Sequence, residues 1–247
     1  MRALLLAGHG SLRRGAGAAM LRVAARLRER GAAPLVAAGC FNYSRPSVDE
    51  ALDRLVVRGA TEVVAVPYLL GPGYFSRVVV PRALAAAAAR HPGLATAVAE
   101  PLGDHQALAA LALLRADAAG GGALLIIAHG TPDDEANAPI RAVVRRITDA
   151  RAARGEDAPA LLSFLNLNAP LLADGIDALA AAGARRIVAL PYFLQLGDHA
   201  AEDVPLAIHA ARERHPALTI ALAEPLGYHP LLADAVADRY YEMSRKE

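Results

Sequence analysis

The sequence writes one pattern twice, and that duplication limits what the chain can fold into more than any other feature. "GATEVVAVPYLLGPGYFSRVVVPRAL" starts at Gly59 and "GARRIVALPYFLQLGDHAAEDVPLAI" at Gly183, an offset of 124. The same offset pairs "FNYSRPS" at Phe41 with "LNLNAPL" at Leu165, "RHPGL" at Arg90 with "RHPAL" at Arg214, and "AEPLGDH" at Ala99 with "AEPLGYH" at Ala223. Only the opening segments, "LLLAGHGSLRR" from Leu4 and "LLIIAHGTPDD" from Leu124, stand 120 apart, so the second half has four extra residues in its first helix or the loop after it. With "AAGGGA" at Ala118 as the linker, the repeats are 1–120 and 121–247, each long enough to bury a core.

Each repeat reads strand–helix four times over. In the first, the strands fall near Ala3–Ala7, Leu35–Phe41, Glu62–Leu69 and Thr96–Ala99, as short apolar runs without polar alternation. That is the pattern of parallel strands covered on both faces. Between them, Ser47–Val57 reads as a helix, opened by "SVDE" with Ser47 as cap and Glu50 three residues on. The expected fold is α/β: two tandem doubly wound parallel-sheet domains. Ligands of such sheets bind beyond the carboxyl ends of the strands.

That edge holds the histidines. His9 and His129 each follow the first strand of their repeat, inside His-Gly-Ser/Thr. A tight turn in which the glycine matters and the His is incidental is one reading; a functional imidazole, kept in both copies, is the other. His199, in "GDHAAEDVP", follows the third strand, which neighbours the first in such sheets. Two neutral imidazoles there would ligate Co²⁺, Ni²⁺, Fe²⁺ or Zn²⁺ and accept protons near neutral pH. Asp198, Glu202 and Asp203 offer oxygens, although carboxylates at a helix start also suit its dipole. In the first repeat Phe75 stands at the His199 position, and Val78 and Val79 replace Glu202 and Asp203. His105 and His229 either line the site or serve helix starts. His91 and His215, each before a proline, read as helix ends, His209 as surface, and the lone Cys40 as a small core residue.

Composition excludes several classes. One cysteine rules out an internal disulfide and suits a reducing cytoplasm. No apolar run is long enough for a membrane span, and the apolar start is too short for a signal peptide. A net charge of +1 and 4% aromatics give nucleic-acid binding no support. The halves nevertheless differ: residues 1–120 hold 14 Arg against 8 acidic residues, and 121–247 hold 12 basic against 17 acidic, so the first is basic and the second acidic.

With "LLLAGHGS", "IIAHGT", "PSVDEALDRL", the Pro-Tyr ending the third strand, "GDHAAEDVP" and "PLGYHP", nearly the whole chain resembles the sirohydrochlorin chelatases of the CbiX type. The match is to their long form with two fused halves, within the class II chelatases. The resemblance implies insertion of Co²⁺ or Fe²⁺, with Ni²⁺ a further candidate, into sirohydrochlorin for cobalamin or sirohaem. The metal is a substrate and no permanent cofactor is needed. It implies a catalytic pair of His129 and His199, with His9 the one counterpart in the first half; the candidate metal ligands are these three together with Glu202 from the reading of the residues. An acidic residue common in the family after the second strand is Asn42 here, and Asn166 in the second repeat. Arg13, Arg14, Arg45 and Arg77 at the first half's carboxyl edge suit the macrocycle's carboxylates. The backbone N–H groups after Gly10 and Gly130, at Ser11 and Thr131, would hold another if a helix begins there. The resemblance further implies a monomer or homodimer in the cytoplasm. The rival from another class is a non-catalytic metal- or tetrapyrrole-carrying protein on the same fold. A histidine phosphatase lacks support because Gly8 and Ala128, not Arg, precede the His-Gly, and an α/β-hydrolase because no Gly-x-Ser-x-Gly occurs.

Overall fold

The computed structural model describes residues 1–10, 18–195 and 198–245, with the backbone alone at 198–200. They form two compact units, residues 1–103 with 228–247, and residues 104–227. In the first unit, strands β1 (Arg2–Gly8), β2 (Leu35–Cys40), β3 (Glu62–Pro67) and β4 (Ala95–Val98) make a parallel sheet in the order β2-β1-β3-β4. Central β1 needs to be apolar on both sides, and Ala3 to Ala7 are fully buried. On one face Leu5, Ala7, Val63 and Ala65 pack with Leu52 and Leu55 of helix α2 (Val48–Val57) and Val80 and Leu84 of α3 (Val80–Arg90). Leu4, Leu6, Val64 and Val66 are buried too, on the alternate positions.

The capping box expected at Ser47 forms as read: Glu50 N–H donates to Ser47 Oγ at 3.1 Å, and Ser47 N–H to Glu50 Oε2 at 2.9 Å. It fixes where α2 begins, hence the direction in which the loop after β2 leaves the sheet.

The second unit repeats this plan. Strands β5 (Ala123–Ala128), β6 (Ala160–Phe164), β7 (Arg186–Pro191) and β8 (Thr219–Leu222) lie in the order β6-β5-β7-β8. Helices α6 (Leu172–Ala181) and α7 (Asp198–Arg214) cover one face through Ile176, Leu179, Val204 and Ile208. The extra residues lie where the repeat offset put them. Helix α5 (Ala138–Ala152) has 15 residues where its counterpart α1 (Ala18–Glu29) has 12, and a longer loop follows it. Buried Arg151 closes that loop, donating to the carbonyls of Gly122, Ala158 and Pro159 and pairing with Glu156.

The sequence repeats and the compact units do not coincide. Helix α4 (Gln106–Ala118), the last of the first repeat, belongs to the second unit and packs on α5 and β7. Helix α8 (Pro230–Ser244), the last of the second repeat, belongs to the first unit and packs on α1 and β3. Equivalent arginines secure them: Arg239 of α8 donates to the carbonyls of Pro101 and Leu102 at 3.0 and 3.3 Å, and Arg115 of α4 to that of Leu226 at 3.1 Å. The boundary near 120 is therefore a boundary of the repeat, not of the packing. Among the described residues, no helix is long and apolar enough to cross a membrane.

Candidate functional site

A strand order of 2-1-3-4 reverses direction at the first strand, and the crevice of such a sheet opens beyond the carboxyl ends of its first and third strands. In the second unit those are β5 and β7, paired from Ala123↔Ile187 to Ile127↔Pro191. His129 stands at the open end of β5, exposed, immediately after six buried residues. Its Nδ1 lies 3.3 Å from the Gly130 carbonyl oxygen. A proton held there is donated to that oxygen, which leaves the Nε2 lone pair for a metal ion or a proton. Beyond β7 the chain runs into α7, whose first turn contains the backbone of His199. The His199 side chain lies outside the described residues. Glu202, three residues further along the same helix, is exposed. Among the described residues no group of three or more His, Cys, Asp or Glu side chains is gathered as a metal site.

The loop after β5 is tightly built. Gly130 has φ +90°, and a Cβ on it would overlap the carbonyl oxygen of Asn166, so the loop after β6 passes too close for any side chain. Thr131 N–H donates to Asn168 Oδ1 at 2.7 Å. Asn168 Nδ2 donates to Asp134 at 3.3 Å, and Arg141 Nη2 to the same carboxylate at 2.6 Å. Arg141 first, then Asn137, holds the Asp134 carboxyl below the usual range. Two expectations are corrected here. The Thr131 amide is already occupied by Asn168, so it is not a vacant donor for a substrate carboxylate. Nor does a helix begin there: a 3₁₀ turn spans Asp134–Asn137 and α5 starts at Ala138. Ser11, Arg13 and Arg14 lie outside the described residues.

The first unit has the same edge with different contents. Gly10 N–H donates to Asn42 Oδ1 at 3.1 Å, so Asn42 serves as a loop tie here. His9 is exposed on one side but meets the Phe75 ring edge-on at 4.3 Å and Phe41 at 5.6 Å, while Phe41 and Phe75 stack at 5.0 Å. Burial against these neighbours lowers the His9 pKa below its ordinary value. Phe75 opens a π-helical turn, Phe75–Val79, that leads into α3 and contains Arg77, which is exposed. Arg45 is 86% exposed and pairs with Glu50 at 2.5 Å, a surface contact that contributes little to stability.

The remaining histidines sit at helix ends or on the surface. His105 and His229 cap α4 and α8, each Nδ1 accepting from the backbone N–H two residues on, at 3.2 and 3.3 Å. His91 and His215 follow α3 and α7, where Nε2 donates to Asp53 and Asp177 at 2.9 and 2.7 Å. The helix-end reading placed the residues correctly, but their partners are carboxylates on the preceding helices α2 and α6. His209 sits on the surface near Glu213, and Cys40 is buried. Sequence reasoning missed Asn168, Asp134 and Arg141, which order the His129 loop, and the aromatic group around Phe75. The second had a visible signal: the 124-residue offset sets Phe41 and Tyr43 against Leu165 and Leu167.

The CbiX family model matches twice, over residues 3–119 and 123–243. A sirohydrochlorin cobaltochelatase of Priestia megaterium is 25% identical over 98% of this chain and 80% of its own length. Among solved structures, SirB from Bacillus subtilis with Fe³⁺ superposes with a TM-score of 0.86 at 18% identity, covering 100% of this chain and 98% of that one. CbiX described as the terminal enzyme for biosynthesis of siroheme in denitrifying bacteria gives 0.63 at 26% identity, covering 98% and 99%.

Proposed function

The chain belongs to the CbiX family, and from that premise we propose that it inserts a divalent metal ion, Co²⁺ or Fe²⁺, into sirohydrochlorin. The activity named for the Priestia megaterium cobaltochelatase supports this substrate, as does that of a sirohydrochlorin ferrochelatase from the same organism, 33% identical over 79 residues, which are 32% of this chain and 30% of its own length. The observation that carries the reading is the placing of His129 at the open end of β5, beside the strand that leads to His199.

Insertion needs two pyrrole protons removed and a hydrated metal ion stripped of water. His129, with Nδ1 turned to the Gly130 carbonyl, presents Nε2 as one ligand or proton acceptor. His199 supplies the second imidazole and Glu202 an oxygen, so the ion exchanges water for protein ligands before it passes to the ring nitrogens. The two protons leave through imidazole to solvent as the metal enters. His9, without a second imidazole beside it, contributes at most one ligand. Arg45 and Arg77, with Arg13 and Arg14, meet the carboxylates of the macrocycle. The charge division fits this arrangement: on the compact units as well as the repeats, the first is net basic and the second net acidic.

The test is an insertion assay with sirohydrochlorin and Co²⁺, Fe²⁺ or Ni²⁺, followed by absorbance. Turnover with Co²⁺ or Fe²⁺ is expected. A purified chain that binds macrocycle and metal without joining them is a carrier, and the proposal fails.

A further inference from the structure

The geometry points to the carboxyl edge of the first unit as an aromatic seat for one face of the macrocycle, in place of a second metal site. This rests on the proposed chelatase reading and adds a site to it. The chain has only 4 Phe and 7 Tyr and no Trp. Four of those rings, Phe41, Tyr43, Tyr74 and Phe75, belong to the two segments that follow β2 and β3 at this edge. Their counterparts at the 124-residue offset are Leu165, Leu167, Asp198 and His199, none of them Phe or Tyr. The same fold position has thus been filled with flat conjugated rings in one repeat and with aliphatic and metal-ligating types in the other.

Phe41, Tyr74 and Phe75 form one connected group with His9, and Tyr43 stands two residues beyond Phe41. Phe41 and Phe75 stack at 5.0 Å with 29° between planes, Tyr74 meets Phe75 at 5.8 Å, and His9 meets Phe75 at 4.3 Å. Phe41 and Phe75 are half-buried, whereas Tyr43 and Tyr74 are 71% and 64% exposed. A core would enclose such rings, and exposed tyrosines of this size add nothing to it. The backbone does not demand them either. Tyr43 has φ +56° and its counterpart Leu167 has φ +65°, so the loop takes the same turn with an aliphatic residue. What the aromatics add is a set of π faces that can meet a flat conjugated ligand.

The surroundings define the ligand further. Arg45 and Arg77 each follow an aromatic by two residues, Tyr43 and Phe75, and both are exposed. Flat rings with guanidinium groups at their edge suit a planar macrocycle with a carboxylate rim. A divalent cation gains less here than at the other edge, because Phe75 offers no lone pair at the position where the second repeat has His199.

The double variant Phe41→Leu/Tyr43→Leu tests the seat in the full chain, using residues that the same loop already carries in the second repeat. Metal-free sirohydrochlorin is titrated by absorbance, Co²⁺ is titrated separately, and the solution mass is measured. The expected result is a Kd for the macrocycle raised on the order of tenfold for each ring lost, with Co²⁺ affinity unchanged. Tyr74→Ser should add a similar step. An unchanged macrocycle Kd in the double variant overturns the seat, as does a fall in solution mass at unchanged Kd, which would make the patch an interface with a second copy. Failure of the chelatase reading looks different. A wild-type chain that binds the macrocycle but inserts no metal breaks that reading while the Kd ratio still reports the seat. A wild-type chain that does not bind the macrocycle overturns both.

Discussion

The two carboxyl edges share a backbone and differ in chemistry. Both set a His-Gly at the end of the first strand, and both pass the loop after the second strand so close to that glycine that no Cβ fits. Both end the third strand in Pro and follow it with Tyr, and Tyr68 and Tyr192 are buried, which pushes their phenol pKa values up. Beyond these constraints they part. At the first edge His9 is packed among phenyl rings; at the second His129 is open, with a polar chain of Asn168, Asp134 and Arg141 behind its loop. What the two repeats share is what the sheet and its turns require, and what differs is the set of side chains at the open edge.

The strongest way to break the comparison is to remove each imidazole in turn. His129→Ala should lower the insertion rate by about a hundredfold or more, the scale of losing a general base or ligand, and His199→Ala should do the same. His9→Ala should leave most Co²⁺ affinity and most turnover. The three are separated by measuring kcat and Co²⁺ Kd for each. If His9→Ala is inactive while His199→Ala turns over normally, the chemistry belongs to the first edge.

A smaller effect is expected from the shared turn. Gly130→Ala forces a Cβ onto the Asn166 carbonyl at φ +90°, where an L side chain is strained whatever the space. The cost should be about 2 kcal/mol or more, roughly 4–8 °C in Tm for a chain of this size. Gly10→Ala lacks the positive φ, but its Cβ would overlap the Asn42 carbonyl and also the Ser44 backbone N. Its cost should therefore be of the same order, as read by thermal unfolding; a loss several times smaller would mean that the two turns are not equivalent.

How much of this was legible in the sequence follows from the range over which each signal acts. The strands were legible because a buried parallel strand must be an unbroken apolar run, and Ala3–Ala7 is one. The start of α2 was legible because Ser47 and Glu50 are three residues apart. The destination of α4 and α8 was not. Helix α4 buries residues around most of its circumference, among them Ala107, Leu108, Ala109, Leu111 and Leu113. Its pattern therefore says that it is covered without saying by which sheet. The occupied Thr131 amide was hidden for a related reason: its acceptor, Asn168, is 37 residues away and belongs to the loop after β6. The His129 position was readable because its neighbours on β5 fix the strand end, whereas its hydrogen-bonding loop depends on contacts that no local pattern records.

The smallest expected effect tests whether the scaffolds stayed equal while the edges diverged. Asp53 accepts from His91 and Arg90, and Asp177 from His215 and Arg214, with matching geometry in the two units. The histidine first, then the arginine, lowers each carboxyl pKa below its ordinary value of 3.8. A depressed folded-state pKa stabilises the protein above the unfolded value and loses that contribution as pH falls through the folded one. Asp53→Asn and Asp177→Asn should therefore each lower Tm at pH 7, and the deficit should fade as the wild type is taken below about pH 4. Both carboxylates are about half exposed, so water and salt screen the pairs and leave roughly 0.5 kcal/mol each, about 1–2 °C. Equal deficits in the two variants, measured by thermal melts between pH 3 and pH 7, would show that both repeats still rely on the same link between their second and third helices. A deficit in only one would mean that divergence has reached the scaffold as well as the ligand edge.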